Sequence, residues 1–448
     1  MDKSITELSH IHFVGIKGVG VAALALCAQD LGINVTGSDI EEVFITDKIL
    51  KERGINWNKG FSENNIPEGA DLVVTTGAHG GLKNPEVIAA KEKGKPILTH
   101  AEALAEFTRE KELIAVCGVG GKTTTSAMIA YILEELGEKP SYAVGVSEIF
   151  GLGYGGRYSK NGKHFVAEAD EYAVSPGVDN TPKFHLLSPK VAVVTNIKHD
   201  HPDVYPNLDD TLSAYEQFFM NVPDDGVIVV STKDDLATKL AEKANGKVVF
   251  YEPGDVSSSL KLKIPGEYNL QNAAAAVAAV GVLGIERGKA LKVLASFGGL
   301  KRRFEVVGKT PSGVTVVDDY AHHPSEIEGL IKAAREFFPN KKISIAFQPH
   351  TYSRTKSHFE EFAQALAAAD KVFLIDIYAS AREKRDEDVS SEKLAERTKS
   401  LNPEAFYIGG LNVAGAKLLE NIAQDEVLLT VGAGDIFYLH KELVANYE

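Results

Sequence analysis

Cysteine is scarce in this sequence, and no apolar run is long enough to span a membrane. Only Cys27 and Cys117 occur among 448 residues, and both lie in apolar segments. We therefore expect core thiols rather than a disulfide, and a reducing, cytoplasmic environment. The first residues show no secretion signal, which favours the same location and no membrane partner. Basic residues are outnumbered, 48 against 62 acidic ones, and the net charge of −14 argues against a nucleic-acid partner. The oligomeric state stays open.

The composition is otherwise that of a folded protein with several domains. Apolar residues make up 44% and charged residues 25% of the chain, and 448 residues exceed one ordinary core. Apolar, strand-like runs alternate with helix-compatible segments, which predicts an α/β protein with parallel, doubly wound sheets. The pattern divides into a Rossmann-like N-terminal domain at 1–109, a central P-loop ATPase-type domain at 110–298 and a Rossmann-like C-terminal domain at 299–448.

A glycine-rich loop opens the central block, directly after an apolar run at 113–117. Glycines between a strand and a helix let backbone N–H groups point at a phosphate, and the helix N-terminus adds a favourable dipole. Lys122 can then reach the terminal phosphates, and the Thr123 hydroxyl can ligate Mg²⁺. Val116 replaces the first glycine of the usual motif, so an ordinary glycine turn is the alternative. The candidate nucleotide-binding residues of this loop are Gly118, Gly120, Gly121, Lys122, Thr123 and Thr124.

A second glycine loop lies in the first block, before an alanine-rich helix. Its glycines are Gly15, Gly18 and Gly20, and the next predicted strand ends at Ser38 and Asp39. This pattern favours a diphosphate site, although the glycine spacing is the reverse of the usual dinucleotide order. A nicotinamide cofactor is one candidate ligand, and a plain structural turn is the alternative.

Carboxylates and imidazoles follow the strands of the central block. Glu168 opens an acidic cluster at 168–171, and His201 ends a polar group that follows the next strand. Such side chains at strand ends suit a divalent metal. Mg²⁺ is favoured over zinc, because no cysteine lies nearby and a triphosphate already calls for Mg²⁺. The alternative is solvated loop charge.

Amide and other polar side chains recur towards the end of the chain. Asn269 and Asn272 are three residues apart and could face one ligand, although helix capping explains the spacing equally well. In the third block, polar clusters follow successive strands at 318–324, 350–354, 376–379 and 432–435. Clusters at successive strand ends are typical of a ligand-binding α/β sheet, whereas any single His there is more often structural.

In this order, the motifs resemble those of the Mur ligase family. The resemblance covers nearly the whole chain and rests on the segments 118–125, 168–171, 195–201, 265–272, 302–305, 318–324, 347–350 and 432–436. It implies an ATP-dependent ligase that forms an amide bond in peptidoglycan precursor synthesis, with ATP and Mg²⁺ as cofactors. The expected substrates are UDP-N-acetylmuramate and L-alanine, and the alternative acceptor is a recycled tripeptide.

The resemblance also implies a role for each candidate residue. The first domain would bind the UDP-sugar, the central domain would hold the ATP phosphates, and the third would close over the site with the amino acid. Catalytic roles fall to Lys122, Glu168, His201, His322, His350 and Arg354. Further nucleotide contacts fall to Asn269, Asn272, Arg303 and Asp318. Substrate contacts fall to Gly15, Gly18, Gly20, Ser38, Asp39 and Tyr320. One Mg²⁺ ion would be held by Thr123 and Glu168, and a second, beside the sugar carboxylate, by His201.

Four positions depart from the family pattern. Val119 and Gly120 remove side-chain contacts near the phosphates, whereas Lys17 could add charge towards the diphosphate. Thr351 stands where members that use L-alanine usually have Arg, although Arg354 remains available for the carboxylate of the acceptor.

Two other classes compete with a ligase. An oxidoreductase would use the N-terminal glycine loop alone, and a non-catalytic nucleotide switch would bind ATP without transferring phosphate. Either class would leave Lys122, Glu168 and His201 without a joint task, so both are disfavoured.

Overall fold

The structure is a computed structural model that describes residues 3–199, 204–379 and 385–445. The chain divides into two compact units. Unit 1 comprises the residues up to 263 together with 269–298, and unit 2 comprises 264–268 together with the residues from 299 onward. Among the described residues, no helix is both long and apolar enough to cross a bilayer.

The first sheet of unit 1 is parallel. Its strands are β1 (His10–Val14), β2 (Asn34–Asp39), β3 (Asn56–Lys59), β4 (Leu72–Thr75) and β5 (Ile97–Thr99), in the order β3-β2-β1-β4-β5. Its helices are α1 (Val19–Asp30), α2 (Asp47–Glu52), α3 (Pro85–Glu92) and α4 (His100–Thr108). Pro85 begins α3 because a helix tolerates proline in its first turn, where the N–H has no intrahelical partner. The strand order reverses beside β1, so the glycine loop after β1 lies at the switch point where such sheets bind ligands.

The second sheet of unit 1 has seven strands and is parallel except at one edge. Its strands are β6 (Glu112–Cys117), β7 (Ser141–Ile149), β8 (Gly153–Arg157), β9 (His164–Glu168), β12 (Val191–Val194), β13 (Val227–Ser231) and β14 (Lys247–Tyr251), and β10 (Ala173–Ser175) pairs separately with β11 (Asp179–Pro182). The order is β14-β13-β12-β6-β9-β7-β8, with β8 antiparallel to β7. The helices are α5 (Lys122–Glu135), α6 (Leu208–Met220), α7 (Asp235–Ala241), α8 (Gly254–Ser257), α9 (Glu267–Val282) and α10 (Arg287–Leu294).

The alanine-rich helix α1 joins the cores of these two sheets. Its residues 21–28 are all buried, as expected of a helix that is apolar around its whole circumference. On one side it covers β1 and β2, and on the other it packs on β7 and β8. A Cβ atom at Gly156 in β8 would lie 2.1 Å from the carbonyl oxygen of Ala23 in α1. Glycine at this position of β8 therefore allows the close approach of strand and helix.

Unit 2 contains the third sheet. Its strands are β15 (Glu305–Lys309), β16 (Thr315–Asp319), β17 (Lys342–Phe347), β18 (Lys371–Ile375), β19 (Ala405–Gly409) and β20 (Glu426–Val431), in the order β15-β16-β20-β17-β18-β19. All neighbouring pairs are parallel except β15 with β16. The helices are α11 (Pro324–Phe337), α12 (Tyr352–Ser357), α13 (Phe359–Ala367), α14 (Ser391–Lys399), α15 (Leu411–Asn421) and α16 (His440–Leu443).

The predicted α/β class is confirmed, and the three larger sheets of the described residues follow the predicted order of blocks. The apolar run at 113–117 forms β6, which begins one residue earlier, and the strand expected to end at Ser38 and Asp39 is β2. Helix α9 begins at Glu267, ahead of Asn269 and Asn272, where an acidic residue in the first turn favours the helix N-terminus. The domain boundaries after 109 and 298 stay predictions.

Candidate active site

The predicted phosphate loop connects β6 to α5. Gly118 has φ +127° and Gly121 has φ +85°, conformations that favour glycine. A Cβ atom at Gly118 would lie 2.1 Å from Thr195 Oγ1, and one at Gly121 would lie 2.3 Å from Asn272 Oδ1. The two glycines are therefore required both by the backbone conformation and by close neighbours.

Lys122 is the first residue of α5, and its ammonium group is buried among carboxylates. Nζ donates to Glu171 Oε2 at 2.9 Å, to Glu171 Oε1 at 3.1 Å and to the Gly118 carbonyl at 2.8 Å. Burial by itself lowers the pKa of Lys122, but Glu171 and Asp170 outweigh burial and raise the pKa above its ordinary value. Lys122 therefore stays protonated at neutral pH and places a positive charge beside the loop.

Thr123 and Glu168 bring two oxygen ligands together beside this cation. Thr123 Oγ1 donates to Glu168 Oε2 at 3.0 Å, and the N–H of Gly145 donates to Glu168 Oε1 at 2.5 Å. Burial, followed by the nearby charge of Asp170, raises the pKa of Glu168 to about 7. The raised pKa means that the ionised form of Glu168 is disfavoured, and a bound cation would stabilise that form.

His201, the third predicted metal ligand, lies outside the described residues. Within 3–199, 204–379 and 385–445, no group of three His, Cys, Asp or Glu side chains is placed to hold a metal. Hydroxyl and carboxylate oxygens are ligands that Mg²⁺ accepts, so Thr123 and Glu168 fit a Mg²⁺ ion completed by phosphate and water oxygens.

Asn269 and Asn272 lie inside α9 and face the phosphate loop. Asn272 Oδ1 accepts a hydrogen bond from Thr125 Oγ1 at 3.3 Å, and Asn272 Nδ2 donates to Asn269 Oδ1 at 3.3 Å. Both side chains are buried. The alternative that they cap a helix is wrong, because α9 already begins at Glu267.

The N-terminal glycine loop is organised by Asp39. Asp39 Oδ2 accepts from the N–H of Lys17 at 2.7 Å, and Oδ1 accepts from the N–H of Ile40 at 2.8 Å. Gly15 has φ +79°, and its N–H donates to the carbonyl of Ser38 at 2.9 Å. Gly18 is the N-cap residue of α1. The predicted substrate residues of this loop thus meet at the carboxyl edge of β1 and β2.

The prediction that Lys17 adds charge towards a diphosphate is wrong. Nζ donates to the carbonyl of Glu42, lies 3.7 Å from Asp47 Oδ1 and lies 4.9 Å from the centre of the Phe44 ring. The side chain is 1% exposed. Lys17 therefore anchors the segment that follows β2, because a buried ammonium group needs the carbonyl, carboxylate and ring that this segment supplies.

Ser38 is buried beneath the loop and bonds to a carboxylate. Its hydroxyl donates to Glu86 Oε2 at 2.5 Å, and His12 Nε2 lies 3.3 Å from the same oxygen. Glu86 Oε1 accepts from Asn65 Nδ2 at 2.5 Å and from the N–H of Ser62 at 3.1 Å. The hydroxyl of Ser38 is thus engaged within the protein, which favours a supporting role over the predicted contact with substrate.

We expect Glu86→Gln to destabilise unit 1 by about 2–4 kcal/mol at pH 7, because an amide cannot accept four donors. Burial raises the pKa of Glu86, but hydrogen bonds from His12, Ser38 and Asn65 outweigh it and lower the pKa. The stabilisation is therefore present above the unfolded-state pKa and is lost as the pH falls through the lower folded-state value. Urea unfolding should show a smaller difference in the free energy of unfolding between Glu86→Gln and the unchanged protein at pH 4 than at pH 7.

Glu92→Gln is the matched control, since Glu92 is exposed on the same helix. It should change the unfolding free energy by less than about 0.5 kcal/mol. An equal effect of both substitutions would contradict the role given to Glu86.

Arg302 and Asp318 form a buried ion pair in unit 2. Arg302 Nε donates to Asp318 Oδ2 at 3.0 Å, while its two terminal nitrogens donate to the carbonyls of Gly434 at 3.1 Å and Gly432 at 2.5 Å. Thr430 Oγ1 donates to Asp318 Oδ1 at 3.1 Å. The sequence predicted that Asp318 contacts nucleotide, but a fully buried, paired carboxylate favours a structural role.

The remaining candidates of unit 2 gather where β16 and β17 end. The Arg303 guanidinium lies 5.1 Å from the Tyr320 ring centre, and the Tyr320 and His322 rings are 5.5 Å apart. The His322 and His350 rings are 6.3 Å apart, and Arg354 donates to His350 Nδ1 at 3.3 Å. The structure thus brings together five side chains that the sequence placed in separate motifs.

Thr351, between His350 and Arg354, has a strained backbone. Its φ of +69° with ψ of +144° is a conformation that glycine adopts and a β-branched residue avoids, at a cost of about 1–3 kcal/mol. Its N–H donates to the carbonyl of Tyr378 at 2.9 Å, and its carbonyl accepts from Thr355 Oγ1 at 2.7 Å. These two bonds hold the strained backbone of Thr351 in place and so fix the direction of the chain on either side of it.

Sequence reasoning missed several residues that shape the site. Glu171 was seen only as part of an acidic cluster, yet it holds Lys122. His100 packs against Gly20, where a Cβ atom would lie 2.9 Å from Nε2, and burial followed by the charge of Lys183 lowers the pKa of His100 to about 4. Glu86 carried no signal in the sequence, and the structure places it in the first turn of α3, after the N-cap residue Asn84.

Three family models match the chain. Residues 10–112 match the model described as Mur ligase family, catalytic domain. Residues 116–258 match the Mur ligase middle domain, and residues 302–434 match the Mur ligase, glutamate ligase domain.

Similar proteins extend along almost the whole chain. The UDP-N-acetylmuramate–L-alanine ligases of Desulfitobacterium hafniense and Carboxydothermus hydrogenoformans are each 36% identical over 97% of this chain, covering 99% and 96% of their own lengths. The UDP-N-acetylmuramate-alanine ligase of Thermotoga maritima superposes with a TM-score of 0.78 at 32% identity, covering 96% of this chain and 97% of its own. A murein peptide ligase of Psychrobacter arcticus, 22% identical with a TM-score of 0.72, covers 97% of this chain and 98% of its own and shares the fold.

Proposed function

Since the chain belongs to the Mur ligase family, we propose that it joins the carboxyl group of UDP-N-acetylmuramate to the amino group of L-alanine, using ATP, in peptidoglycan precursor synthesis. One observation carries the proposal: the side chains of Lys122, Thr123 and Glu168 lie close together beside the glycine-rich loop that connects β6 to α5. Relatives bearing the name of this reaction are 36% identical over 97% of the chain, which supports the choice of substrates.

The first chemical step activates the carboxylate. An oxygen of the muramate carboxylate attacks the γ-phosphorus of ATP, the bond from that phosphorus to the β-phosphate oxygen breaks, and ADP leaves an acyl phosphate. Two anions must approach each other in this step, and Lys122 offsets their repulsion. Its link to Glu171 orients the ammonium group before the phosphates arrive.

Thr123 and Glu168 are the proposed ligands of one Mg²⁺ ion, and His201 is the proposed ligand of a second Mg²⁺ ion beside the sugar carboxylate. Mg²⁺, when bound, would neutralise phosphate charge and polarise the phosphorus–oxygen bonds. Glu168 must be ionised to bind the metal. Because its pKa is raised to about 7, a nearby cation is needed to favour the ionised form fully. Asn269 and Asn272 are proposed to hold the adenine, and Arg303 a phosphate.

The second step needs an uncharged amine. The L-alanine nitrogen attacks the acyl carbon, the carbon–oxygen bond to phosphate breaks, and the amine proton passes to a base. His322 Nδ1 lies 3.0 Å from the Tyr320 carbonyl, which can only accept, so Nε2 is the basic nitrogen. Burial lowers the pKa of His322 and keeps it neutral and able to take the proton. His350 and Arg354 are proposed to bind the acceptor.

The remaining roles are also proposals. Gly15, Gly18 and Gly20 are assigned to the UDP-sugar, with Asp39 shaping their loop. We place the protein in the cytoplasm, which is supported by two buried cysteines that are not paired with each other.

Parallel assays of acceptors test the proposed substrate. ADP release should require both UDP-N-acetylmuramate and an amine, and kcat/KM should be at least about tenfold higher for L-alanine than for glycine, because one methyl group in a fitted pocket is worth that much. L-serine and the tripeptide are offered alongside. Faster turnover of the tripeptide would establish the alternative acceptor, and ATP hydrolysis that ignores the sugar nucleotide would refute the ligase.

A further inference from the structure

Two residues of the phosphate loop offer no side-chain hydrogen bond: Val119 has an apolar side chain, and Gly120 has none. The shape of the loop must therefore be held by its backbone groups. These groups bond to Thr195 and Asn196, which directly follow β12, the neighbour of β6 in the sheet. We refer to Thr195 and Asn196 as the loop clamp.

The loop clamp makes four side-chain bonds to the segment 117–120. Thr195 Oγ1 donates to the carbonyls of Gly120 at 2.6 Å and Cys117 at 3.1 Å. Asn196 Nδ2 donates to the Gly120 carbonyl at 3.1 Å, and Asn196 Oδ1 accepts from the N–H of Val119 at 3.1 Å. The two residues after β12 thus bond to two backbone carbonyls and one backbone N–H group of this segment.

These bonds fix the direction of the neighbouring peptide groups. In a planar trans peptide the carbonyl and the following N–H point in opposite directions. Holding the Gly120 carbonyl against the clamp therefore turns the N–H of Gly121 away from β12. Likewise, the N–H of Val119 points to Asn196 while the Gly118 carbonyl points to Lys122 Nζ, 2.8 Å away.

We propose that Thr195 and Asn196 are positioning residues that hold the loop in its phosphate-binding shape before ATP arrives. The proposal rests on the proposed function for the identity of the ligand. Preorganised N–H groups bind an anion more tightly because no ordering cost remains to be met on binding. The clamp adds to the bond from Lys122 Nζ to the Gly118 carbonyl and supplies contacts that Val119 and Gly120 do not provide.

Thr195→Val, Thr195→Ser and Asn196→Ala test the clamp in the full-length protein. The probe is a fluorescent N-methylanthraniloyl derivative of ATP with Mg²⁺, and the Kd for UDP-N-acetylmuramate is measured separately by calorimetry. Thr195→Val and Asn196→Ala should each raise the Kd of the ATP probe about tenfold, because each loses hydrogen bonds to the loop. The first loses the hydroxyl hydrogen that the carbonyls of Gly120 and Cys117 share, and the second loses two amide hydrogen bonds. The Kd for UDP-N-acetylmuramate should change less than twofold.

Thr195→Ser keeps the hydroxyl and should bind the probe as the unchanged protein does. Thr211→Val is the matched control, since Thr211 is a buried threonine of α6 whose hydroxyl also donates to a carbonyl. An unchanged Kd in Thr195→Val, an equal loss in Thr195→Ser or Thr211→Val, or equal weakening of both ligands would overturn the proposal. Probe binding without ligation by the unchanged protein would instead refute the proposed function and leave the clamp result valid.

Discussion

Replacing Lys122 by Met is expected to lower the rate of ATP-dependent product formation about a thousandfold, the scale of losing a main electrostatic contact to the transition state. The ammonium group lies against Glu171 and is the cation that we propose the loop presents to phosphate. Binding of UDP-N-acetylmuramate should persist, because the glycine loop after β1 is separate from Lys122. Single-turnover assays and calorimetry measure the two effects independently.

Removing Lys122 alone also leaves the carboxylate of Glu171 without its ammonium partner, which could unfold the site. The double variant Lys122→Met with Glu171→Gln removes both charges and should be equally inactive while remaining folded. Lys243→Met is the control for a lysine that is 60% exposed, and it should keep full activity. Near-normal turnover in Lys122→Met would end the assignment of the loop to catalysis.

Replacing Arg302 by Met is expected to destabilise unit 2 by about 3–5 kcal/mol, because Asp318 would remain buried without its partner. The side chains of the pair are 5% and 0% exposed, so solvent cannot compensate the loss. The carbonyls of Gly432 and Gly434 would lose their donors as well. Urea unfolding followed by far-UV circular dichroism measures the effect.

The single tryptophan separates the two units in this experiment. Trp57 lies in unit 1, so its fluorescence should report an unchanged transition while circular dichroism shows early unfolding of unit 2. Arg303→Met is the matched neighbour: it should reduce activity and leave stability within about 1 kcal/mol. Equal stability of Arg302→Met and the unchanged protein would contradict the buried ion pair.

The phosphate loop could be predicted from the sequence because its determinants are local. The run before Gly118 forms β6, the glycines permit the turn, and Lys122 begins the helix within a few residues. Buried strands of all three sheets, such as β4, β12 and β20, could be predicted for the same reason, since continuous apolar runs are typical of strands buried on both faces. The edge strand β3, which is largely exposed, gave no such run.

Contacts between distant segments could not be predicted. Lys17 sits in a glycine loop, a place that suggests phosphate, but its direction is set by Asp47 and Phe44 from another segment. Asp318 follows a strand like a ligand-binding residue, but Arg302 reaches it from the preceding turn. In each case the motif indicates the residue type, whereas the partner that decides its role is chosen by the fold.

The close packing of Ala23 against Gly156 has a consequence for how this protein can change over time. A side chain added at Gly156 in β8 collides with the backbone of α1 at Ala23, so Gly156 cannot vary unless the backbone of one element moves. The two sheets of unit 1 consequently diverge as a matched pair. Exchange of one sheet between relatives would pair surfaces that never adapted to each other.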